Sequence, residues 1–106
     1  MDRGVISVKA YVRLLPSDQR DRVGLIRSGH HLNHNFGGPA NRTLYVGQIT
    51  FPEDRWYSPG SESEVRVDFV DLPGLREYLV PGREWHIQEE ARVVAEAKVL
   101  EVIPPP

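Results

Sequence analysis

Residues 89–101 read EEARVVAEAKVLE, and whether they form a helix or a strand decides the fold. Ala, Glu and Lys are good helix formers, so propensity alone favours neither answer. The pattern does. Val93, Ala95, Ala97 and Val99 fall on one face of a strand. Wound as a helix, the segment would place Lys98 on the apolar stripe begun by Ala91, Val94 and Ala95. The segment is read as a strand.

The neighbouring segments agree. Just upstream, Trp85 and Ile87 alternate with Glu84, His86 and Gln88, a second short strand. Glu64 to Val70 gives the cleanest alternation, with Val65, Val67 and Phe69 on one face and Glu64, Arg66 and Asp68 on the other. Ile6, Val8, Ala10, Val12 and Leu14 repeat the period of two until Pro16, which has no amide to give a ladder. Thr43 to Phe51 is rich in strand-favouring types, with Gly47 as a bulge or a point of close approach. Pro59-Gly60, Pro73-Gly74 and Pro81-Gly82 each suit a type II turn, proline presetting φ and glycine accepting the positive φ that follows. Between Pro16 and Arg42 the chain is polar and glycine-punctuated, and it reads as one long loop with room for a short strand at Val23 to Ile26. Short strands between turn signals, with no convincing helix, indicate an all-β domain, a small closed barrel or a sandwich.

Composition narrows the function classes. A chain of 106 residues has room for one domain. With 40% hydrophobic and 26% charged residues it is an ordinary globular mixture. The absence of cysteine excludes disulfides, thiolate zinc sites and a cysteine nucleophile. The sequence has no apolar run of membrane-helix length and no signal-peptide pattern near Met1, so the expected location is the cytoplasm. A net charge of −2 argues against a general grip on phosphate backbones, though a local patch remains open. No phosphate-cradling G-x-x-x-x-G-K-[ST] motif and no Gly-x-Ser-x-Gly elbow occurs, so the chain is expected to bind rather than catalyse, without nucleotide or cofactor.

The most unusual local composition is Ser28 to Phe36, SGHHLNHNF. His30 and His34 are four apart, a metal-sharing spacing only if the stretch were helical, which its flanking glycines oppose. A solvated polar loop is the preferred reading, ahead of a partner- or RNA-binding loop. Arg20, Arg22 and Arg27 precede it and would suit phosphate, but Asp18 and Asp21 neutralise them locally. Trp56 and Tyr57, before a Pro-Gly turn, are read as core or rim packing rather than as stacking groups for a nucleic acid.

Taken in order, Val46-Gly47-Gln48-Ile49, Phe51-Pro52, Ser58-Pro59-Gly60, the strand Val65 to Val70, Gly82 with Trp85 and Ile87, and then Glu89, Arg92 and Val94 resemble the C-terminal (third) β-barrel domain of elongation factor Tu and related translation GTPases. The likeness runs from about Val8 to Ile103. It implies a six-stranded antiparallel closed β-barrel spanning residues 1–106, with its core at about 5–103 and a proline tail at 104–106. It also implies contact with the T stem of tRNA, and the family's GTPase domain lies elsewhere. Glu89 and Arg92 match the family's hairpin. Glu90 stands where the family has the glycine that lets the tRNA backbone approach, and Gln88 replaces an arginine. The other tRNA-facing loop is rewritten as Ser28 to Phe36.

The expectation is therefore a binding module for RNA, tRNA included, or for a component of the translation apparatus. The rival is a protein partner, as for an immunity or antitoxin protein. Candidate macromolecule-binding residues are Arg27, His30, His31, His34, Glu89 and Arg92, with no metal site. Met1 close before the first strand and the proline tail after the last favour a complete small protein.

Overall fold

The computed structural model describes residues 4–16, 28–29, 31–38, 41, 43–89 and 92–104. Six strands account for most of them: β1 (Val5–Leu14), β2 (His31–Asn35), β3 (Tyr45–Thr50), β4 (Glu62–Val70), β5 (Glu84–Glu89) and β6 (Arg92–Ile103). They close into an antiparallel barrel in the order β1-β4-β3-β2-β5-β6. Closure leaves no strand edge open, which suits a domain too small to cover one. Among the described residues the only helical piece is a 3₁₀ turn, Leu75–Glu77, and no helix is long and apolar enough to cross a membrane.

The alternation in the sequence becomes the inner and outer walls. Ile6, Val8, Ala10, Val12 and Leu14 of β1 and Val65, Val67 and Phe69 of β4 are all buried. Segment 92–103 is a strand, and its alanines have a packing reason. Ala97 lies opposite Trp85, and Ala95 opposite Ile87. Each large side chain of β5 thus faces a small one on β6, and these fill the interior together. The helix-like composition of the segment reflects the volume its neighbours take, not a helical backbone.

The three Pro-Gly turns are built alike. Ser61, Leu75 and Arg83 each donate an amide to the carbonyl three residues back, at 3.1, 3.2 and 3.0 Å. Gly60, Gly74 and Gly82 have φ of 89°, 88° and 90°, as a type II turn requires at its third position.

One element departs from the expectation. His31–Asn35 lies inside the stretch read as a long loop, yet it forms β2 and pairs with both β3 and β5. Leu32 and His34 point inward from it, and one of those is polar, so the strand shows no apolar alternation. The short strand expected at Val23 to Ile26 lies outside the described residues.

The antiparallel register defines two rims. At the first rim β1, β3 and β5 end and β2, β4 and β6 begin. It carries Leu14 to Pro16, the Ser28-Gly29 turn, the 51–61 connection and the β5–β6 hairpin. At the second rim Leu75 and Leu79 plug the barrel beside Phe36, Tyr45 and Tyr78.

Candidate binding surface

The His/Asn segment resolves residue by residue. His34 is fully buried in the barrel interior. Trp85 Nε1–H donates to its Nδ1 at 2.9 Å, and its Nε2 lies 3.4 Å from the Gly47 carbonyl. With Nδ1 accepting, the proton sits on Nε2 and points at that carbonyl. The ring meets Phe69 edge-on, with centroids 4.9 Å apart. Burial lowers its pKa to about 4. His34 is therefore a core residue and not part of a binding surface, which corrects its place among the candidates.

Asn35 is structural too. Its amide donates to the Gly38 carbonyl (3.0 Å) and to Gln88 Oε1 (2.7 Å). Its carbonyl oxygen accepts from the Gly37 amide and from Asn41 Nδ2, both at 2.9 Å. All four of its hydrogen-bonding positions are filled, and the β2–β3 loop is gathered on it. Asn35→Ala should destabilise the protein by roughly 2 kcal/mol, because three of the orphaned partners are held in a half-buried loop. Urea denaturation at neutral pH measures it.

The remaining candidates divide. His31 opens β2 at the first rim, opposite Gln48. Glu89 and Arg92 face each other at the end of the β5–β6 ladder, on the same rim, and both are exposed. Arg27 and His30 lie outside the described residues, as do Arg20, Arg22 and Glu90. The described ends of segment 17–27 are nonetheless both tied to this rim. Leu15 donates to the Val94 carbonyl at 2.9 Å, and Gly29 donates to that of Ile49 at 2.9 Å. Ser28 Oγ accepts the Phe51 amide at 2.7 Å.

In the 51–61 connection the sequence reading is core or rim packing for both Trp56 and Tyr57. Tyr57 is buried and stacks on Phe51, with ring centroids 4.0 Å apart, as core packing predicts. Trp56 is instead 47% exposed. The Arg55 guanidinium lies 3.9 Å above the Tyr57 ring and pairs with Glu53 at 2.7 Å. Among the described residues, the 51–61 connection and the β5–β6 hairpin thus give the first rim an exposed indole, two arginines (Arg55 and Arg92) and three carboxylates (Glu53, Asp54 and Glu89). Its charges are nearly balanced.

A second feature lies on the outer wall. A groove of about 400 Å³ runs between the cross-strand rows Tyr11–Lys98–Glu84 and Arg13–Glu96–His86. Arg13 pairs with Glu96 at 2.5 Å, and the Tyr11 hydroxyl donates to Glu62. Two cations and two carboxylates in one groove give it no net attraction for a polyanion. Among the described residues no three His, Asp or Glu side chains gather where they could hold a metal ion.

No family model matches the chain, and no curated protein matches it.

Proposed function

We propose that this chain is a non-enzymatic binding module, a barrel of the elongation factor Tu C-terminal kind, that recognises RNA or a component of the translation apparatus with its first rim. The observation that carries the reading is the β5–β6 hairpin. Its ladder ends on Glu89 opposite Arg92 next to β2, on the rim that also carries the exposed Trp56 in the β3–β4 connection. An exposed indole and an exposed arginine at a strand turn are the kinds of group that stack on unpaired bases and meet phosphates. The buried His34 has both ring nitrogens committed to Trp85 and Gly47, so it offers no base for chemistry. The outer wall carries Lys9, Arg13, Arg66, Glu96 and Lys98, which suits a water-filled compartment, and we assign the chain to the cytoplasm.

A second reading, a protein partner, is favoured by the charge balance of both the rim and the outer groove. Protein interfaces use mixed-sign rims for register, whereas RNA surfaces carry excess positive charge.

Fluorescence anisotropy with labelled tRNA at a series of salt concentrations tests the first reading. Binding should weaken steeply with salt. Arg92→Ala should lower affinity several-fold and reduce the slope of log K against log salt by about one. Glu90→Gly, which restores the glycine the resembling hairpins carry, should strengthen binding. No binding to RNA at low salt, with salt-resistant capture of one protein, would transfer the reading to a protein partner.

A further inference from the structure

We propose that His34 is a proton-operated latch, holding the barrel shut at β2 while its ring is neutral and releasing that strand when the ring takes up a proton. The latch is visible in the geometry. The Nδ1 lone pair is occupied by the Trp85 N–H at 2.9 Å, so a proton added there would confront a donor that has nowhere to turn. Nε2–H already points at the Gly47 carbonyl, so the second nitrogen offers the added proton no site.

The surroundings give the resulting cation no partner. From β3 the ring faces Gly47 and Tyr45, from β4 Phe69, and from β5 Trp85 and Ile87. Tyr45 is the one titratable group among them. Burial raises its pKa, so it stays neutral across the acid range, and its hydroxyl donates to the Pro73 carbonyl at 3.2 Å. The titratable side chains of these strands, Glu62, Glu64, Arg66 and Asp68 on β4 and Glu84, His86 and Glu89 on β5, lie on the outer wall or at the rim, and β1 and β6 present only apolar side chains across the interior. An imidazolium here would be a buried charge without a counterion.

The place of opening follows from the ladder. β2 is five residues long, the shortest of the described strands, and its register with β5 covers Asn33–Asn35. Losing the Trp85 and Gly47 contacts releases the inner face of that strand while β1, β4 and β6 keep their long registers. Because β2 begins at the first rim, opening also disturbs that rim. This last consequence rests on the proposed function, whereas the opening itself does not.

The sign is that of a histidine with a depressed pKa. Its value falls from 6.5 to about 4 on folding. The stabilisation is complete above pH 6.5, is lost progressively between 6.5 and 4, and levels off below 4. Across that window the open population should rise by up to roughly 10²-fold.

The test is an NMR titration of the unliganded chain from pH 7.5 to 4, reading the His34 ring nitrogens and amide exchange along the strands. The expected result is a neutral ring protonated on Nε2 at pH 7 and no titration near 6.5. Free energies of exchange for Leu32 and His34 should fall between pH 6.5 and 4, while those of Val8 and Val67 hold. In His34→Gln, which keeps an acceptor and a donor but cannot charge, the β2 profile should be flat. A ring that titrates near 6.5 with unchanged β2 protection would overturn the latch, as would the same acid loss in His34→Gln. Should that variant not fold, the wild-type ring and β2 profiles decide alone. RNA binding plays no part in this measurement, so its failure leaves the proposed function standing, and the reverse also holds.

Discussion

Trp85→Ala should destabilise the barrel by about 4 kcal/mol or more, a large share of the stability of a domain this size. Two effects add. Trp85 is only 4% exposed and spans the interior, stacking on Phe36 with ring centroids 5.0 Å apart and reaching toward Phe69. Its loss would leave a cavity that Ala97, directly opposite, is too small to fill. The second effect is polar. His34 Nδ1 would lose its donor in a site that water does not reach, at a penalty of roughly 1–3 kcal/mol. Trp85→Phe separates the two, since it keeps much of the ring volume and removes the N–H. Its urea midpoint should lie between those of wild type and Trp85→Ala. Equal midpoints for Trp85→Phe and wild type would show that the hydrogen bond to His34 contributes nothing.

Gly47→Ala should destabilise by roughly 3 kcal/mol, although it adds one methyl group. That methyl would lie 2.9 Å from His34 Nε2 and 3.1 Å from Phe69 Cδ1. Neither ring has space to retreat, because His34 is held by Trp85 and both rings are buried. Displacing the imidazole would also break its approach to the Gly47 carbonyl, so the strain and the hydrogen-bond loss act together. A double-mutant cycle with His34→Ala checks the cause. With the ring gone, the added methyl has room, and the cost of Gly47→Ala should fall by more than half. Strict additivity would place the strain elsewhere.

These two predictions meet at the part of the fold that was hardest to read from sequence. The strands with their own alternation, Ile6 to Leu14 and Glu64 to Val70, were legible because period two is a local property. So were the Pro-Gly turns, since φ is set by the residues themselves. Segment 92–103 was legible only because its apolar positions outweighed its propensity. β2 was not. Its inward histidine is paid in hydrogen bonds by Trp85, 51 positions later, and by Gly47, 13 positions later. No window along the chain contains those partners. Gly47 carried a partial signal as a point of close approach, but nothing named the ring that approaches it.

The candidate surface divides in the same way. Glu89 and Arg92 were found through a resemblance to a hairpin, and the register places them at its end. That they share a rim with Trp56 and His31 follows from the strand order, in which β2 lies between β3 and β5. Trp56 and Tyr57 are adjacent in sequence and of similar type, yet one is exposed and the other buried. Phe51 decides between them by stacking on Tyr57, a choice that periodicity does not encode.

The proposed binding surface is the first rim, and the first of its proposed ligands is RNA. Backbone amide shifts recorded while tRNA is added at low salt test both parts at once. The account predicts shifts concentrated at Ser28, Gly29, Trp56, Glu89 and Arg92, fading as salt is raised, with the second-rim residues 71–83 unmoved. Shifts confined to the second rim or to the outer groove, or none at all, would contradict it.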